Sequence, residues 1–407
     1  MRVAVIGAGL SGLSAACHLV GAGHDVVVLE RESAPGGRAG TIADGGYLFD
    51  TGPVVMTMPG LLDDALAAAG ATTADVGLTM RRLDPAYRAV YADGSQIRVR
   101  DSTEATRAEI LATCGPRDAA AFDRFVPWLE RLYRIEMEPF IARNYDSVLG
   151  LLARPGAAVG LLREGGLGRL GSAVGRYFDD DRLARLFSFQ ALYAGVAPAD
   201  ARAMFAVITY MDSIAGVYYP QGGMRAIPLA MGRALERAGA TMHLGAEVSA
   251  ILRRGDGAVA GVELTGGDRI AADAVVCTLD LPVAFRRLLP DLPMPRTLAR
   301  GTYSPSAVVW HVGVEGVPGA DVGHHNIHFG DDWDGAFEAL IDRGELMPDP
   351  SRLVSIPSIS DDSLAPPGHS TLYVLEPVPN LSGRVDWARE TEPMRERLLG
   401  FLEAGGY

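Results

Sequence analysis

The sequence predicts an α/β protein in which a parallel-sheet domain is interleaved with a second domain of mixed sheet and helices. Three patterns support this class. Residues 1–30 run as an apolar strand, a glycine-rich turn, a helix and a second apolar strand, which is typical of a βαβ unit. Residues 103–210 carry leucine and aromatic side chains at helical spacing. Residues 240–277 and several later segments are apolar, short and bounded by turn residues, which indicates strands.

The other elements follow from local patterns in the same way. Residues 59–69 are expected to form a short amphipathic helix, residues 79–100 strands with a tight turn at Asp93-Gly94, and residues 216–223 a loop. Further helices are predicted over 225–239 and 386–404. Further strands are predicted over 240–252, 258–264, 269–277, 306–315, 325–329, 352–356 and 371–376.

The composition narrows the function. A chain of 407 residues corresponds to two or three domains of about 150 residues each. Its net charge of −13 disfavours nucleic acid as a partner, because phosphate binding needs a basic field. All 37 basic residues are arginine, which excludes a lysine Schiff base and a P-loop lysine. Cys17, Cys114 and Cys277 are too widely separated for a zinc motif and indicate a reducing, cytoplasmic compartment.

The most specific motif is Gly7-x-Gly9-x-x-Gly12, which follows an apolar strand and opens a helix. Gly7 permits a tight turn, Gly9 lets a pyrophosphate approach the backbone, and Gly12 allows the helix to pack closely on the strand. The helix N-terminus adds N–H donors and the positive end of its dipole. The motif therefore predicts a Rossmann-like dinucleotide site, to which the intervening residues are also assigned: Ala8, Leu10 and Ser11.

Acidic and glycine residues downstream of this motif indicate which dinucleotide is bound. Glu30 ends the second strand, where a carboxylate accepts hydrogen bonds from ribose hydroxyls and disfavours the 2′-phosphate of NADP. Arg31 follows it, and Gly36-Gly37-Arg38 then offers a second close approach to the cofactor and a cation for phosphate or the flavin end. This extension resembles that of FAD enzymes of the amine-oxidase and carotenoid-desaturase superfamily, and it favours FAD over NAD.

Five longer blocks resemble the bacterial and fungal-type phytoene desaturases, in the order of that family and along the whole chain. They are GYLFDTGP (46–53), FSFQALYAG (187–195), GVYYPQGGM (216–224), HHNIHFGDDW (324–333) and STLYVLEPVPN (370–380). The resemblance implies a carotenoid-biosynthesis flavoprotein that desaturates a long isoprenoid such as phytoene, with flavin N5 accepting a hydride. It also implies a position peripheral to the cytoplasmic membrane. The sequence does not name the electron acceptor, which is left open between oxygen and a quinone. Family members continue beyond the helix at 386–404, so we expect this chain to be a fragment that lacks the C-terminal segment.

This layout predicts a discontinuous FAD-binding domain formed by residues 1–75 and 215–285, with its C-terminal part absent. Residues 76–105 and 286–407 are expected to form an α+β domain that binds the substrate. Residues 106–214 are expected to form a helical region that associates with a membrane. Within residues 147–176, leucines alternate with Arg154, Arg163, Arg169 and Arg176, a pattern that suits either an anionic leaflet or packing within a helical domain. The sequence shows no signal peptide and no apolar run of the about 18–20 residues that a membrane span needs.

Few residues are candidates for the chemistry itself, because a hydrocarbon has no ionisable proton and the cofactor carries the difficult step. By resemblance, Asp146 in NYDSVLGLLA matches an acid that steadies a cation or takes a proton, although a helix N-cap before Ser147 is the simpler explanation. Asp50 in FDTGP is a second acid near the expected flavin side, with turn formation as the alternative. By resemblance, the backbone of Val248 contacts the adenine, with core packing as the alternative, and the chain passes the cofactor at Thr278 and Leu279.

The histidine-rich segment carries no metal prediction. A strand would place His324 and His328 on one face and His325 on the other, and no separate third ligand has suitable spacing. Alternatives to desaturation remain open at this point. They are another flavoprotein of the superfamily (a carotenoid isomerase, saturase or ketolase, or an amine or porphyrinogen oxidase), a non-catalytic prenyl-escort-type binding protein, and an inactive truncated chain.

Overall fold

The computed structural model describes residues 1–144 and 154–407. The chain divides into two compact units, each formed by two segments. The first unit comprises Met1–Arg81 and Tyr218–Thr302, and the second comprises Arg82–Val217 and Tyr303–Tyr407. Asp146 lies outside the described residues.

Short strands and helices alternate along much of the chain. The strands are β1 Arg2–Ile6, β2 Asp25–Leu29, β3 Thr41–Asp44, β4 Tyr47–Asp50, β5 Met80–Arg82, β6 Tyr87–Val90, β7 Gln96–Val99, β8 Tyr218–Pro220, β9 Thr241–His243, β10 Val248–Arg253, β11 Val259–Leu264, β12 Arg269–Ala271, β13 Ala274–Cys277, β14 Ser306–Glu315, β15 His325–His328, β16 Arg352–Ser355 and β17 His369–Val378. The α-helices of the described residues are α1 Leu10–Gly21, α2 Pro59–Ala68, α3 Thr103–Thr113, α4 Pro116–Glu136, α5 Pro155–Arg163, α6 Leu170–Gly175, α7 Asp181–Leu186, α8 Ala206–Thr209, α9 Ala226–Arg237, α10 Leu281–Arg287, α11 Arg296–Ala299, α12 Trp333–Phe337 and α13 Trp387–Ala404. Short π-helical turns span Met137–Ile141, Tyr210–Ile214 and Glu338–Arg343, and short 3-10 turns span Phe189–Ala194, Ala203–Phe205, Pro357–Ile359 and Asp362–Leu364.

The first unit is built on a parallel four-stranded sheet in the order β13-β1-β2-β9. Its central strands β1 and β2 are short and apolar on both faces, as expected for a parallel sheet covered on two sides, whereas the edge strand β9 is largely exposed. On one side Ala4, Ile6, Val27 and Leu29 form a core with residues of the antiparallel sheet β10-β11-β12. Helices α1, α2 and α9 pack together in the same unit. This arrangement confirms the predicted α/β class.

The second unit is built on a mixed six-stranded sheet in the order β14-β17-β16-β15-β6-β7, in which only β15 and β6 run parallel. Helix α13 covers one face, where Leu398 and Leu402 pack against Val354 and Val374. Because side chains alternate along a strand, the neighbouring Leu353 and Leu375 lie on the opposite face. The helices of this unit contain a separate aromatic cluster: Phe122, Phe125, Trp128, Phe178 and Phe187.

Three local predictions were wrong. The expected single strand at 269–277 is two strands, β12 and β13, which belong to different sheets. The expected loop at 216–223 contains strand β8, which pairs with β5. The expected single strand at 240–252 is two strands in different sheets, because Gly245 adopts a φ of +68° and redirects the chain between β9 and β10. The helices expected at 59–69, 225–239 and 386–404 and the strands expected from 306 onward are confirmed within one to three residues.

Candidate active site

The glycine turn of the first unit leaves a helix N-terminus without a side-chain cap. Strand β1 ends at Ile6, and α1 begins after Gly9, whose conformation is extended and which offers no capping side chain. Gly7 has a φ of +98°, and a Cβ there would lie 2.7 Å from Oγ1 of Thr278. A Cβ on Gly12 would lie 2.0 Å from the carbonyl oxygen of Gly7. Gly7 and Gly12 are therefore required by the packing of the chain itself, whereas Gly9 meets only the backbone of Gly37 at 3.9 Å.

The carboxylate of Glu30 is fixed by backbone donors at the end of β2. It is 6% exposed, and it accepts hydrogen bonds from the N–H of Ala8 at 2.7 Å and of Glu32 at 2.9 Å. A carboxylate offers about four acceptor positions, so these two bonds orient the group while leaving acceptor positions for further donors. This geometry suits the recognition of ribose hydroxyls.

The second glycine pair packs directly on the first glycine turn. Gly36 forms a parallel bridge with Gly9, and its N–H donates to the carbonyl of Ala8 at 2.9 Å. Gly37 has a φ of +56°, and a Cβ there would lie 3.1 Å from the Cα of Gly9. The adjacent Arg38 is largely exposed and forms an ion pair with Asp280 at 3.0 Å. The segment therefore builds one continuous backbone surface from two glycine motifs that are separated in sequence.

These residues line a cavity of about 830 Å³ within the first unit, a volume in the range of small-molecule and cofactor sites. Of the residues assigned from the sequence, the lining includes Gly7, Gly9, Leu10, Ser11, Glu30, Arg31, Gly36, Gly37, Arg38 and Val248, as well as Thr278 and Leu279. Ala8 and Gly12 are not in the lining; Ala8 holds Glu30 through its N–H, and Gly12 packs on the turn.

Sequence reasoning missed several charged residues of this cavity. Glu247, Asp280 and Arg287 belong to its lining. Glu247 follows β9, Asp280 follows β13, and Arg287 ends α10. None of the three belongs to a recognisable sequence motif. Val248 is also part of the apolar core, as its core-packing alternative predicted, and its contact with the adenine stays a prediction. The lining thus combines three arginines with four carboxylates. A dianionic pyrophosphate would be held by arginine and the α1 N-terminus, and hydroxyl groups by the carboxylates.

Asp50 does not line this cavity and is instead held by hydrogen bonds inside the first unit. Its carboxylate is 5% exposed and accepts hydrogen bonds from the hydroxyl of Tyr219 at 2.6 Å and the N–H of Met224 at 2.8 Å. Gly223, with a φ of +84°, leaves room for it, since a Cβ there would lie 2.9 Å from Asp50 Oδ1. The blocks GYLFDTGP and GVYYPQGGM are therefore joined through one buried acid.

The second unit encloses an apolar cavity of about 410 Å³ between its sheet and helices. Aromatic side chains form much of the wall: Tyr87, Phe189, Tyr193, Phe329, Trp333 and Phe337. Aliphatic residues of the sheet, among them Ile327, Leu353 and Leu375, form a further part of it. Arg352, which pairs with Glu376 at 2.6 Å, and a few serines also line the cavity. Such a lining favours a hydrocarbon, and the volume accommodates a segment of a long chain rather than a whole one.

The histidines of the segment 324–333 are placed in this unit but not as ligands of one ion. His328 Nε2 lies 2.6 Å from the hydroxyl of Tyr407, and burial lowers its pKa to about 4. His325 is fully buried with its ring 5.9 Å from that of Tyr87, and burial lowers its pKa to about 3. Within residues 1–144 and 154–407, no group of three or more His, Cys, Asp or Glu is arranged to hold a metal ion.

Comparison with known proteins agrees with this geometry. The sequence profile described as flavin containing amine oxidoreductase matches residues 10–399. A phytoene dehydrogenase of Streptomyces griseus is 48% identical over 407 residues, which covers 99% of this chain and 78% of that protein. This chain is a flavin-containing amine oxidoreductase of the carotenoid desaturase group. A zeta-carotene-forming phytoene desaturase of Myxococcus xanthus is 33% identical over 410 residues, which covers 100% of this desaturase and 78% of that one.

The fold comparison agrees with the architecture described above. The solved structure of an oxidoreductase from Methanosarcina mazei superposes with a TM-score of 0.63 at 19% identity, covering 99% of the desaturase and 84% of that chain. At this identity the likeness shows the fold alone. FAD is the cofactor of the desaturase, and the first unit fits it: the uncapped helix, the two glycine turns and the oriented Glu30 carboxylate form a cradle that side chains would fill.

Proposed function

We propose that the desaturase introduces double bonds into phytoene or a related carotenoid precursor. The observation that carries this proposal is the 48% identity with a phytoene dehydrogenase along nearly the whole chain, and the apolar cavity of the second unit supports it. Such a substrate is a lipophilic polyene without hydrogen-bonding or charged groups. Its recognition therefore depends on shape, apolar contact and aromatic surface.

The first unit is proposed to hold FAD through the residues that line its cavity. Gly7, Gly9 and Gly36 present backbone to the pyrophosphate, and Glu30 accepts from the ribose, while Val248 lies at the adenine. Arg31, Arg38 and Arg287 are the lining cations, and we propose that Arg38 exchanges Asp280 for the cofactor. Bound FAD supplies the hydride acceptor; the chain supplies orientation and a site that excludes water.

The second unit is proposed to bind the polyene, and the acceptor of the electrons is proposed to be oxygen or a quinone. Asp146 stays a candidate for a carboxylate near the reacting carbons, although it lies outside the described residues. A carotenoid isomerase is the alternative that most resembles this function, and it would change geometry without removing hydrogen. A prenyl-escort-type protein would bind the isoprenoid without FAD.

The deciding experiment uses the purified 407-residue chain. We expect it to retain a visible flavin spectrum after incubation with FAD and gel filtration, and to convert phytoene in liposomes into a product with a longer conjugated chromophore. A flavin-free protein that binds prenyl lipids would favour the escort-type function. A chain that retains flavin and changes the double-bond geometry of phytoene, without lengthening its conjugated system, would favour an isomerase. Flavin retention without any turnover would favour an inactive chain.

The apolar cavity provides a test of substrate binding that leaves the cofactor site alone. Ala307 on β14 lines the cavity opposite Pro377. Ala307→Leu is expected to raise KM for phytoene about tenfold, because overpacking costs about 1–3 kcal/mol. FAD affinity should stay within twofold. The matched control is Ala388→Leu, at an exposed position of α13, which should change neither quantity; an unchanged KM in Ala307→Leu would contradict the placement of the polyene.

A further part of the proposal is peripheral binding to an anionic membrane. No helix within residues 1–144 and 154–407 is both long and apolar enough to cross a bilayer. Helix α5 and the turn after it expose Val159, Leu162 and Leu167, beside Arg163 and Arg169. Exposed apolar side chains next to arginine suit insertion at the headgroup boundary of an anionic leaflet.

Leu162→Asp tests this surface. Leu162 is 59% exposed, and its replacement by a carboxylate should weaken binding to phosphatidylserine vesicles at least about tenfold, since a buried leucine contributes about 1.5–3 kcal/mol. Vesicle flotation measures the effect. Leu381→Asp is the control, because Leu381 is also exposed, at 91%, and lies outside the helical segment. Equal loss in both variants, or no loss in Leu162→Asp, would contradict the proposed surface.

A further inference from the structure

A buried carboxyl group lies behind the apolar cavity of the second unit. Asp212 belongs to the π-helical turn Tyr210–Ile214 and is 1% exposed. Its Oδ1 accepts hydrogen bonds from the hydroxyl of Ser213 at 2.7 Å and from Nε2 of Gln190 at 3.4 Å. Burial raises the pKa of Asp212 to about 7, although the hydrogen bonds from Ser213, Gln190 and Tyr87 lower it. Near neutral pH this group therefore exchanges between its carboxylate and carboxylic acid forms.

Two tyrosines connect Asp212 with the cavity. The hydroxyl of Tyr87 donates to Oδ2 of Asp212 at 3.4 Å, and the phenol of Tyr193 interacts with that of Tyr87. Both tyrosines line the cavity. Tyr87 is almost fully buried, whereas Tyr193 is 54% exposed and offers its surface to a ligand. Long hydrogen bonds of this kind are common in enzymes without substrate and tighten in the reacting complex.

The other titratable groups near this chain of three residues do not compete with Asp212. The ring of His325 on β15 faces Tyr87, but burial lowers its pKa to about 3, so it is neutral. Burial raises the pKa of Tyr87 well above its usual value, so its phenol stays protonated. Helix α4 packs against the same π-helical turn, and its Glu130 and Arg134 act on Tyr210. The last residue of α4, Glu136, is also buried, and burial alone raises its pKa to about 8, with no contribution from Asp212 or the two tyrosines. Among the described residues, Asp212 is thus the proton acceptor of this cluster that changes charge near pH 7.

We propose that Tyr193, Tyr87 and Asp212 form a relay that accepts the proton which a polyene loses when it is desaturated in the apolar cavity. The proposal rests on the proposed function. Tyr193 would be the catalytic residue, since it meets the substrate, while Asp212 would act through the two phenols. The aromatic wall around them suits the transient positive charge on the substrate, because ring faces attract cations.

The proposed step balances in atoms and electrons. Desaturation removes a hydride and a proton from neighbouring carbons, and bound FAD would be the two-electron oxidant that accepts the hydride. The remaining allylic cation then loses a proton from the adjacent carbon, and the electron pair of that C–H bond becomes the new π bond. That proton bonds to the oxygen of Tyr193, the phenolic proton of Tyr193 moves to Tyr87, and that of Tyr87 moves to Oδ2 of Asp212. The net change is a neutral polyene with one more double bond, a protonated Asp212 and a hydride acceptor reduced by two electrons.

The relay predicts a distinctive pH dependence. Because the carboxylate form accepts the proton, the single-turnover rate of the holoenzyme on phytoene in liposomes should rise with pH through about 7 and then level off. Asp212→Asn should lower this rate about 10²–10⁴-fold, the usual contribution of a general base, and remove the rise. Tyr193→Phe should lower it to a similar extent with FAD affinity unchanged.

The control is Asp118→Asn. Asp118 is a buried carboxylate of the same unit that accepts the N–H of Asp179 at 2.8 Å and does not line the cavity. The Asp118→Asn variant should retain the single-turnover rate of the wild type and its rise with pH. If Asp212→Asn does not fold, Tyr193→Phe still tests the relay. The side chain of Tyr193 is half exposed, so its replacement by phenylalanine should leave the fold intact.

Three outcomes would overturn the relay. One is a wild-type rate that does not change between pH 6 and 8, which are about one unit either side of the expected pKa. Another is Asp212→Asn or Tyr193→Phe within threefold of wild type, and the third is a slower Asp212→Asn that keeps the rise. In each of these the desaturation of phytoene still occurs. Failure of the holoenzyme to convert phytoene at any pH would instead overturn the proposed function and the relay with it.

Discussion

Glu30→Gln is expected to weaken FAD binding about 10–100-fold. The carboxylate of Glu30 accepts the N–H of Ala8 and the N–H of Glu32, and an amide in its place turns one acceptor into a donor that faces an N–H group. The ribose would also lose a charged acceptor, and hydrogen bonds to charged groups contribute about 1.5–3 kcal/mol. Flavin fluorescence titration of the purified chain measures the change in affinity.

The control for this variant is Glu32→Gln. Glu32 lines the same cavity, but its side chain is 62% exposed and pairs with Arg31 on the surface. Exposed ion pairs contribute little, so FAD affinity should stay within about threefold. A Glu30→Gln chain that binds FAD as tightly as Glu32→Gln would show that the ribose is held elsewhere.

Gly12→Ala is expected to lower the free energy of unfolding of the first unit by about 3 kcal/mol or more. A Cβ at this position would lie 2.0 Å from the carbonyl oxygen of Gly7, and neither atom belongs to a flexible side chain. Helix α1 would therefore have to move away from the turn, which disrupts packing in the core and the shape of the cofactor cradle. Thermal unfolding followed by circular dichroism should show a lower Tm, with loss of retained FAD.

Gly60→Ala is the matched control because it also replaces a helical glycine in the first unit. A Cβ on Gly60 would meet no atom within 4 Å, and alanine at such a position stabilises a helix by about 0.4–1 kcal/mol. Its Tm should be equal to or above that of the wild type. Equal Tm values for Gly12→Ala and Gly60→Ala would contradict the close packing at Gly12.

The cofactor cradle was largely predictable because its main parts are local in sequence. Gly7, Gly9, Gly12 and Glu30 belong to one strand-turn-helix-strand unit, where spacing dictates position. The contacts of this cradle with Asp280 and Arg287 were not predictable, because they depend on β13 lying beside β1 in the sheet. A parallel neighbour of this kind is chosen by long-range packing, which leaves no spacing signal in the sequence.

The sequence by itself determined the α/β class, the dinucleotide turn and its acid, and the likeness to carotenoid desaturases, since each depends on short motifs or on their order. Only the tertiary structure decided which residues surround the apolar cavity, and that Tyr87 donates to Asp212 across 125 residues of chain. It also assigned Asp50 to a buried hydrogen-bonded contact with Tyr219. The physical reason is that desolvation and hydrogen-bond partners are properties of the packed chain. The pKa of an aspartate is ordinary in an exposed loop and about 7 in the interior that holds Asp212.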